Sequence, residues 1–309
     1  DNQSLSKAKH PNIINNNYSP IVSRIASEFN IDLKKISGTG TNGRITKRDV
    51  LNVVESIQAT ETFNPSKNNI SLESGDYSVK PSPIRELIAN HMTKSYKEIP
   101  HAWSAVEVDV TNVIAARTIN QDQVLVENGV KLTYLPFILR EVALTLKKNP
   151  LMNSTWQGER ILVKGKIHIG IATATKDGLM VPVIKNADLK TVLELCLELN
   201  RLVQMARNGT LALHHVQGGT FTINNTGALG SELGGPIINY GQAAIMTTES
   251  ILRRPRVVID GNKEKIAVKS VMNLCLSFDH RVVDGADAAR FLQDLRIRIQ
   301  TIEPKILLS

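Results

Sequence analysis

Apolar positions in the first sixty residues recur at helical spacing in two short stretches. Ser19 and Pro20 suit the N-cap and first turn of a helix through Glu28, and Ile21, Val22 and Ile25 give it one apolar side. Ile31, Leu33 and Ile36 cluster before Gly38-Thr39-Gly40-Thr41-Asn42-Gly43. Thr46, with Asp49 three residues on, has the capping-box pattern, and Val50, Val53, Val54 and Ile57 follow on one face. Residues 1–18 are Asn-rich and aperiodic, and 57–82 are polar without a period, so both read as linkers, the second flexible. The pattern therefore predicts a small helical domain over 19–56 and a large domain over 83–309.

In the large domain the periodic segments are dense. Ile84, Leu87, Ile88 and Met92 place one apolar side on a helix over 84–96. Val106, Val108 and Val110 alternate with Glu107, Asp109 and Thr111, as in a half-buried strand. Further helices are predicted over 134–148 with Pro136 in the first turn, over 191–207 with Leu195, Cys196, Leu199, Leu202 and Val203 on one side, and over 286–302. Short apolar runs predict strands over 167–175, 178–184, 219–225, 243–248 and 271–278. Strands and helices in irregular order, without an internal repeat, point to an α/β fold on a mixed sheet.

Composition narrows the function classes. No apolar run reaches the ~18–20 residues of a membrane span, and the start Asp1-Asn2-Gln3-Ser4 is too polar for a signal peptide. Neither membrane nor secretion is expected. Cys196 and Cys275 fall in apolar segments and read as buried small hydrophobes in a reducing, cytoplasmic setting; two cysteines cannot build a cysteine zinc site. The chain of 309 residues has 37 Lys+Arg and 29 Asp+Glu, a surplus of 8. Residues 1–56 hold eight and five of these, so the small domain is the more basic part per residue. Such a face is most often only solvated, but it also suits an acidic partner protein. Nucleic acid is not expected, because no aromatics interleave with the basic residues and no base-reading motif occurs.

Three segments bear on chemistry. Residues 38–43 match the dinucleotide pattern G-x-G-x-x-G, but a helix precedes them and the unit is too small for the βαβ context that pattern needs. They read as a tight loop between helices. His280, in Asp279-His280-Arg281-Val282-Val283-Asp284-Gly285, follows a predicted strand and precedes a helix. A structural histidine, a catalytic base and a metal ligand all fit that position; the metal reading is poorest because no other His or Cys shares a helical face with it. Asp284 suits the helix N-cap, with Asp287 at the capping-box position. In residues 219–227 the polar Thr220, Thr222, Asn224 and Thr226 share one face, which either faces solvent or forms a cradle for an oxygen developing negative charge. The other histidines, His10, His91, His101, His168, His214 and His215, read as structural or surface residues.

His280-Arg281-Val282-Val283-Asp284-Gly285 resembles the H-R-x-x-x-D-G signature of dihydrolipoamide acyltransferases, the core components of 2-oxoacid dehydrogenase complexes. Ile99-Pro100-His101, Gly170-Ile171-Ala172, Gly178-Leu179-Met180-Val181-Pro182 and Gly218-Gly219-Thr220-Phe221-Thr222 match other stretches of that family in order. Residues 19–54 resemble its peripheral subunit-binding domain, and Asn224-Asn225-Thr226-Gly227 is similar to its branched-chain subgroup. The resemblance implies a chloramphenicol-acetyltransferase-like mixed-sheet catalytic domain. It also implies acyl transfer from S-acyl-dihydrolipoamide to coenzyme A, at sites between subunits of a homotrimer that assembles into a larger core of 24 subunits. Partners would be the 2-oxoacid decarboxylase component and dihydrolipoamide dehydrogenase, held by Arg24, Arg44, Lys47 and Arg48. The family's lipoyl group rides on a separate domain, and no stretch of that kind precedes residue 1, so a fragment without it is expected.

The implied chemistry needs a base, because a thiol of pKa ~8.5 is only a few per cent ionised at pH 7. An ordinary histidine accepts that proton at a cost of about two pK units, roughly 2.7 kcal/mol. His280 would take this role, with Asp284 helping to fix the motif loop and no metal involved. Many relatives carry serine where this chain has Asn224, whose amide is a legitimate oxyanion donor; Thr222 and Thr226 are the fallbacks. Acetyl or succinyl transfer, or a catalytically weak scaffold, are the competing expectations.

Overall fold

The structure, a computed structural model, describes residues 36–60, 74–176 and 178–305 together with Val22, Ala26, Asp32 and Leu33. It divides into two compact units, residues 1–79 and 80–309. Most of the helix predicted over 19–28, Arg24 included, lies outside the described residues.

In the first unit, Val22, Ala26 and Val50 are buried. Helix α1 (Lys47–Thr60) begins at the predicted capping box: the Asp49 N–H donates to Thr46 Oγ1 at 3.3 Å, and the Thr46 N–H donates to Asp49 Oδ2 at 2.8 Å. Asp49 also accepts from the Thr39 hydroxyl at 2.7 Å and the Thr39 N–H at 3.0 Å, which ties the glycine loop to the helix. The loop closes because Gly38 lies against the backbone of Arg44, where a Cβ would come within 2.5 Å of the carbonyl carbon. The Thr39 hydroxyl, followed by the N–H groups of Thr46 and Thr39, holds the Asp49 carboxyl well below the usual carboxylate range.

That depressed value makes the first unit pH-sensitive in one direction. The stabilisation is complete above the unfolded-state pKa of ~3.9 and is lost as pH falls toward the folded-state value. Asp49→Asn is expected to lower hydrogen-exchange protection of residues 39–50 at pH 7, and the gap from wild type should narrow below about pH 4. An equal gap at pH 7 and pH 3 would refute the assignment.

The second unit opens with α2 (Pro83–Glu98), β1 (His101–Asp109), α3 (Thr111–Asn128) and α4 (Leu135–Lys148). A small hairpin follows, β2 (Ser154–Trp156) and β3 (Ile161–Val163), then β4 (Ile169–Thr175), β5 (Gly178–Met180) and β6 (Val183–Ile184). Helices α5 (Val192–Arg207) and α6 (Leu213–Val216) lead to β7 (Phe221–Asn225), β8 (Ala244–Thr248), β9 (Leu252–Asp260), β10 (Lys263–Asp279) and α7 (Gly285–Gln300). The main sheet has eight strands in the order β1-β10-β8-β7-β4-β5, with β6 on β4 and β9 on β10. Its β4–β7 and β7–β8 pairs are parallel and the rest antiparallel, which is the mixed α/β architecture expected of the large domain.

Alternation sorts the sheet into two faces. Ile169, Phe221, Ile223, Met246, Leu274 and Leu276 join Phe137, Leu139, Leu195, Leu202, Phe291 and Leu295 of α4, α5 and α7 in one large core. The other face buries polar groups, among them Thr222, Gln242, Thr247, Glu249, Ser277 and Asp279, beside a small cluster of Ile99, Ile238 and Ile245. Thr191 caps α5 in a complete capping box with Glu194.

Three expectations need correction. Periodicity marks no element over 111–128, yet α3 forms there, burying only Val113, Ala116 and Val124. Strand β10 begins at Lys263 rather than 271 and pairs along β9 as a long hairpin that lysines and glutamate disguise. The apolar side of α2 is only partly covered among the described residues: Ile84 is 41% and Leu87 69% exposed, while Ile88 and Met92 are half-buried. Among the described residues no helix is long and apolar enough to cross a membrane.

Candidate active site

His280 sits one residue beyond the end of β10, exposed, with its backbone N–H donating to the Pro100 carbonyl at 3.1 Å. Its ring lies 5.8 Å from that of Phe278, and its imidazole makes no hydrogen bond to a described residue. The turn beneath it is rigid. The buried Asp279 carboxylate accepts from Arg281 Nε at 2.9 Å, Nη2 at 2.7 Å and the backbone N–H at 3.0 Å, and its carbonyl accepts from the N–H groups of Val282 and Val283. The Arg281 guanidinium in turn lies over the Trp156 ring, 5.4 Å from its centre. Arg281 belongs to the motif, and the signal for its pairing with Asp279 is an acid closing an apolar strand two residues before an arginine.

Asp284 is the N-cap of α7, accepting from the Asp287 N–H at 2.9 Å. It is exposed and makes no hydrogen bond to the His280 ring. His101 and His168 are both taken up by backbone. His101 Nδ1 donates to the Ile99 carbonyl at 2.8 Å while its Nε2 accepts from the Ile238 N–H at 3.0 Å, an arrangement that fixes the tautomer. His168 Nδ1 accepts from the Asn186 N–H at 3.0 Å, and burial lowers its pKa.

The row of hydroxyls predicted over 220–226 is not a uniform cradle. Thr220 and Thr226 flank β7 rather than belong to it. The Thr220 hydroxyl donates to the His168 carbonyl, Thr222 to Gln242 Oε1 at 2.7 Å and Thr226 to Glu249 Oε2 at 2.8 Å. Asn224, half-buried between them, makes no side-chain hydrogen bond to a described residue. Its amide is the one polar group of that row left with unused donors.

The structure does not bring His280 and Asn224 of one chain together. Asn224 is level with Thr247 of β8, which is level with Cys275 of β10. His280 lies five residues farther along and two strands away, so at ~3.4 Å per residue and ~4.8 Å per strand the separation is about 20 Å. The two side chains cannot share a reacting atom within one copy.

In the first unit, Arg44, Lys47 and Arg48 are exposed, and none pairs with a carboxylate among the described residues. Lys47 and Arg48 occupy the first turn of α1, where only Asp49 offsets their repulsion by the helix dipole.

Comparison with known proteins agrees with these two units. The family model of the 2-oxoacid dehydrogenases acyltransferase catalytic domain matches residues 73–308, and that of the E3-binding domain matches residues 17–51. The lipoamide acyltransferase component of the branched-chain alpha-keto acid dehydrogenase complex of Bacillus subtilis is 41% identical over 98% of this chain and 75% of its own length. A probable dihydrolipoamide acetyltransferase of Listeria monocytogenes superposes with a TM-score of 0.73 at 44% identity, over 77% of this chain and all of that one. The cubic core of a pyruvate dehydrogenase multienzyme complex gives 0.70 at 34% identity, over 74% of this chain and 92% of that one. The chain therefore belongs to the 2-oxoacid dehydrogenase acyltransferases, with an E3-binding domain ahead of its catalytic domain.

Proposed function

We propose that this chain transfers a branched-chain acyl group from S-acyl-dihydrolipoamide to coenzyme A, at a site shared by two copies. His280 of one copy takes the proton of the coenzyme A thiol. The thiolate attacks the thioester carbonyl, and the tetrahedral oxyanion is held by the Asn224 amide of the neighbouring copy. Collapse breaks the bond to the dihydrolipoamide sulfur, which recovers the proton from His280. The observation that carries this reading is the pairing of an exposed, unengaged imidazole just past β10 with an unengaged amide on β7, too far apart to meet in one chain. The exposed Ile84 and Leu87 of α2 and Val257, Ile259, Ile266 and Val268 of the β9–β10 hairpin supply apolar surface for contacts between copies. A homotrimer assembling into a core of 24 subunits accommodates such sites.

Branched-chain specificity rests on the Bacillus subtilis relative and the Asn224-Asn225-Thr226-Gly227 stretch. An acyl-transfer assay with isobutyryl, isovaleryl, acetyl and succinyl donors tests it, with His280→Ala as the control. The branched donors are expected to give the highest kcat/KM; a preference for acetyl or succinyl would reassign the subgroup, and no transfer with any donor would leave only the scaffold.

Residues 19–56 would dock dihydrolipoamide dehydrogenase, or the decarboxylase component, through Arg24, Arg44, Lys47 and Arg48. Docking led by charge weakens with salt, so raising ionic strength from ~0.05 to ~0.5 M should increase the Kd about tenfold or more. Calorimetric titration showing a salt-independent Kd would oppose a charge-led interface.

A further inference from the structure

Glu249 is a buried acid with no use in the chemistry so far described. It is 2% exposed, just beyond the end of β8, and among the described residues no cation pairs with it. Four neutral groups serve it instead. The Thr247 hydroxyl donates at 2.5 Å and the Thr226 hydroxyl at 2.8 Å, and the Ser231 hydroxyl and Cys275 thiol help to favour its charged form. Burial pushes the carboxyl up, but the hydrogen bonds from Ser231, Thr247, Thr226 and Cys275 outweigh it and hold the group below its usual range. A buried carboxylate without a counter-charge is costly to keep, so its position calls for a reason beyond packing.

The reason lies in what the carboxylate grips. Thr226 and Ser231 begin and end the turn into which β7 runs after Asn224 and Asn225. The same turn is pinned by backbone: the Ser250 N–H donates to the Ser231 carbonyl at 2.7 Å, and the Ser250 hydroxyl to the Gly227 carbonyl at 3.1 Å. Gly227 lies so close to the Glu249 carbonyl that a Cβ would fall 2.2 Å from it. Thr247, which donates to Glu249, is also the cross-strand partner of Asn224. Glu249 is thus a diagonal neighbour of Asn224 on the same sheet face, roughly 8 Å away between Cα atoms. It touches both the lateral neighbour of Asn224 and the residue two places beyond it.

We propose that Glu249 is a positioning residue for acyl transfer, clamping the Thr226–Ser231 turn and Thr247 so that the Asn224 amide points at the oxyanion. The proposal rests on Asn224 being the oxyanion donor. A carboxylate suits the task because it only accepts, so the Thr226 and Thr247 hydroxyls must both turn toward it. A glutamine would turn one of its two ends into a donor and release at least one of them.

The test is a double-mutant cycle on the assembled protein. Glu249→Gln is expected to lower kcat by roughly 10–10²-fold while leaving KM for coenzyme A and for acyl-dihydrolipoamide near wild type. In an Asn224→Ala background the same change should cost nothing further, because the group it aims is gone. A silent Glu249→Gln, or losses that multiply independently, would overturn the proposal while leaving the Asn224 reading intact. A silent Asn224→Ala would instead remove that reading and the proposal with it. Should Glu249→Gln fail to assemble, Ser231→Ala and Thr226→Val each release a single donor. They are expected to lower kcat severalfold, again without effect on Asn224→Ala, and unchanged kcat in both would overturn the clamp.

Discussion

Replacing His280 with alanine is expected to lower kcat for acyl transfer by about 10²–10⁴-fold, the contribution of a positioned general base. The imidazole is exposed and unengaged, so its removal leaves no buried group unsatisfied, and stability and assembly should match wild type. Substrate KM values should change little, since the thiol and thioester are held by other contacts. The loss should be largest near neutral pH, where the thiol is mostly protonated, and should shrink as rising pH ionises coenzyme A without help. Stopped-flow or coupled assays over pH 6–9 read both effects. A variant within tenfold of wild type throughout that range would remove His280 from the mechanism.

Asn224→Ala is expected to cost about 10²–10³-fold in kcat, the usual loss of one oxyanion donor, with substrate affinity unchanged. Unaltered turnover would sink that assignment. The separation of about 20 Å between His280 and Asn224 adds a sharper test. If each site draws its base from one copy and its donor from the next, two inactive variants can repair each other. Unfolding His280→Ala and Asn224→Ala chains together in equal amounts and refolding them should restore activity at about one interface in four, since a head-to-tail interface then combines intact halves at random. Sites contained within single chains would give no recovery.

Much of this architecture was legible in the residues, and the failures have identifiable causes. Thr46 and Asp49, Thr191 and Glu194, and Asp284 and Asp287 each announce a helix start through a hydroxyl or carboxylate aimed at backbone N–H groups. Strands β4, β7, β8 and the second half of β10 are buried on both faces or alternate cleanly, so apolar runs find them. The first half of β10 escapes because a two-stranded hairpin in water tolerates Lys263, Glu264, Lys265 and Lys269 on its surface. Helix α3 escapes because its three buried positions are spread over eighteen residues. His280 and Asn224 lie in segments that the family motifs mark, but spacing along a chain carries no record of how copies would combine them. Glu249 follows an apolar run as a lone charge, and its meaning depends on Thr226, which only the fold places beside it.

On the proposed reading, the distance between the two halves of the site also sets when the enzyme becomes one. If the site is shared as proposed, a newly made chain, however well folded, would hold a base with no oxyanion donor and a donor with no base. Specific activity should therefore fall on dilution below the assembly concentration, and the rate of its appearance during refolding should rise with protein concentration. Thioester transfer would thereby be reserved for assembled particles.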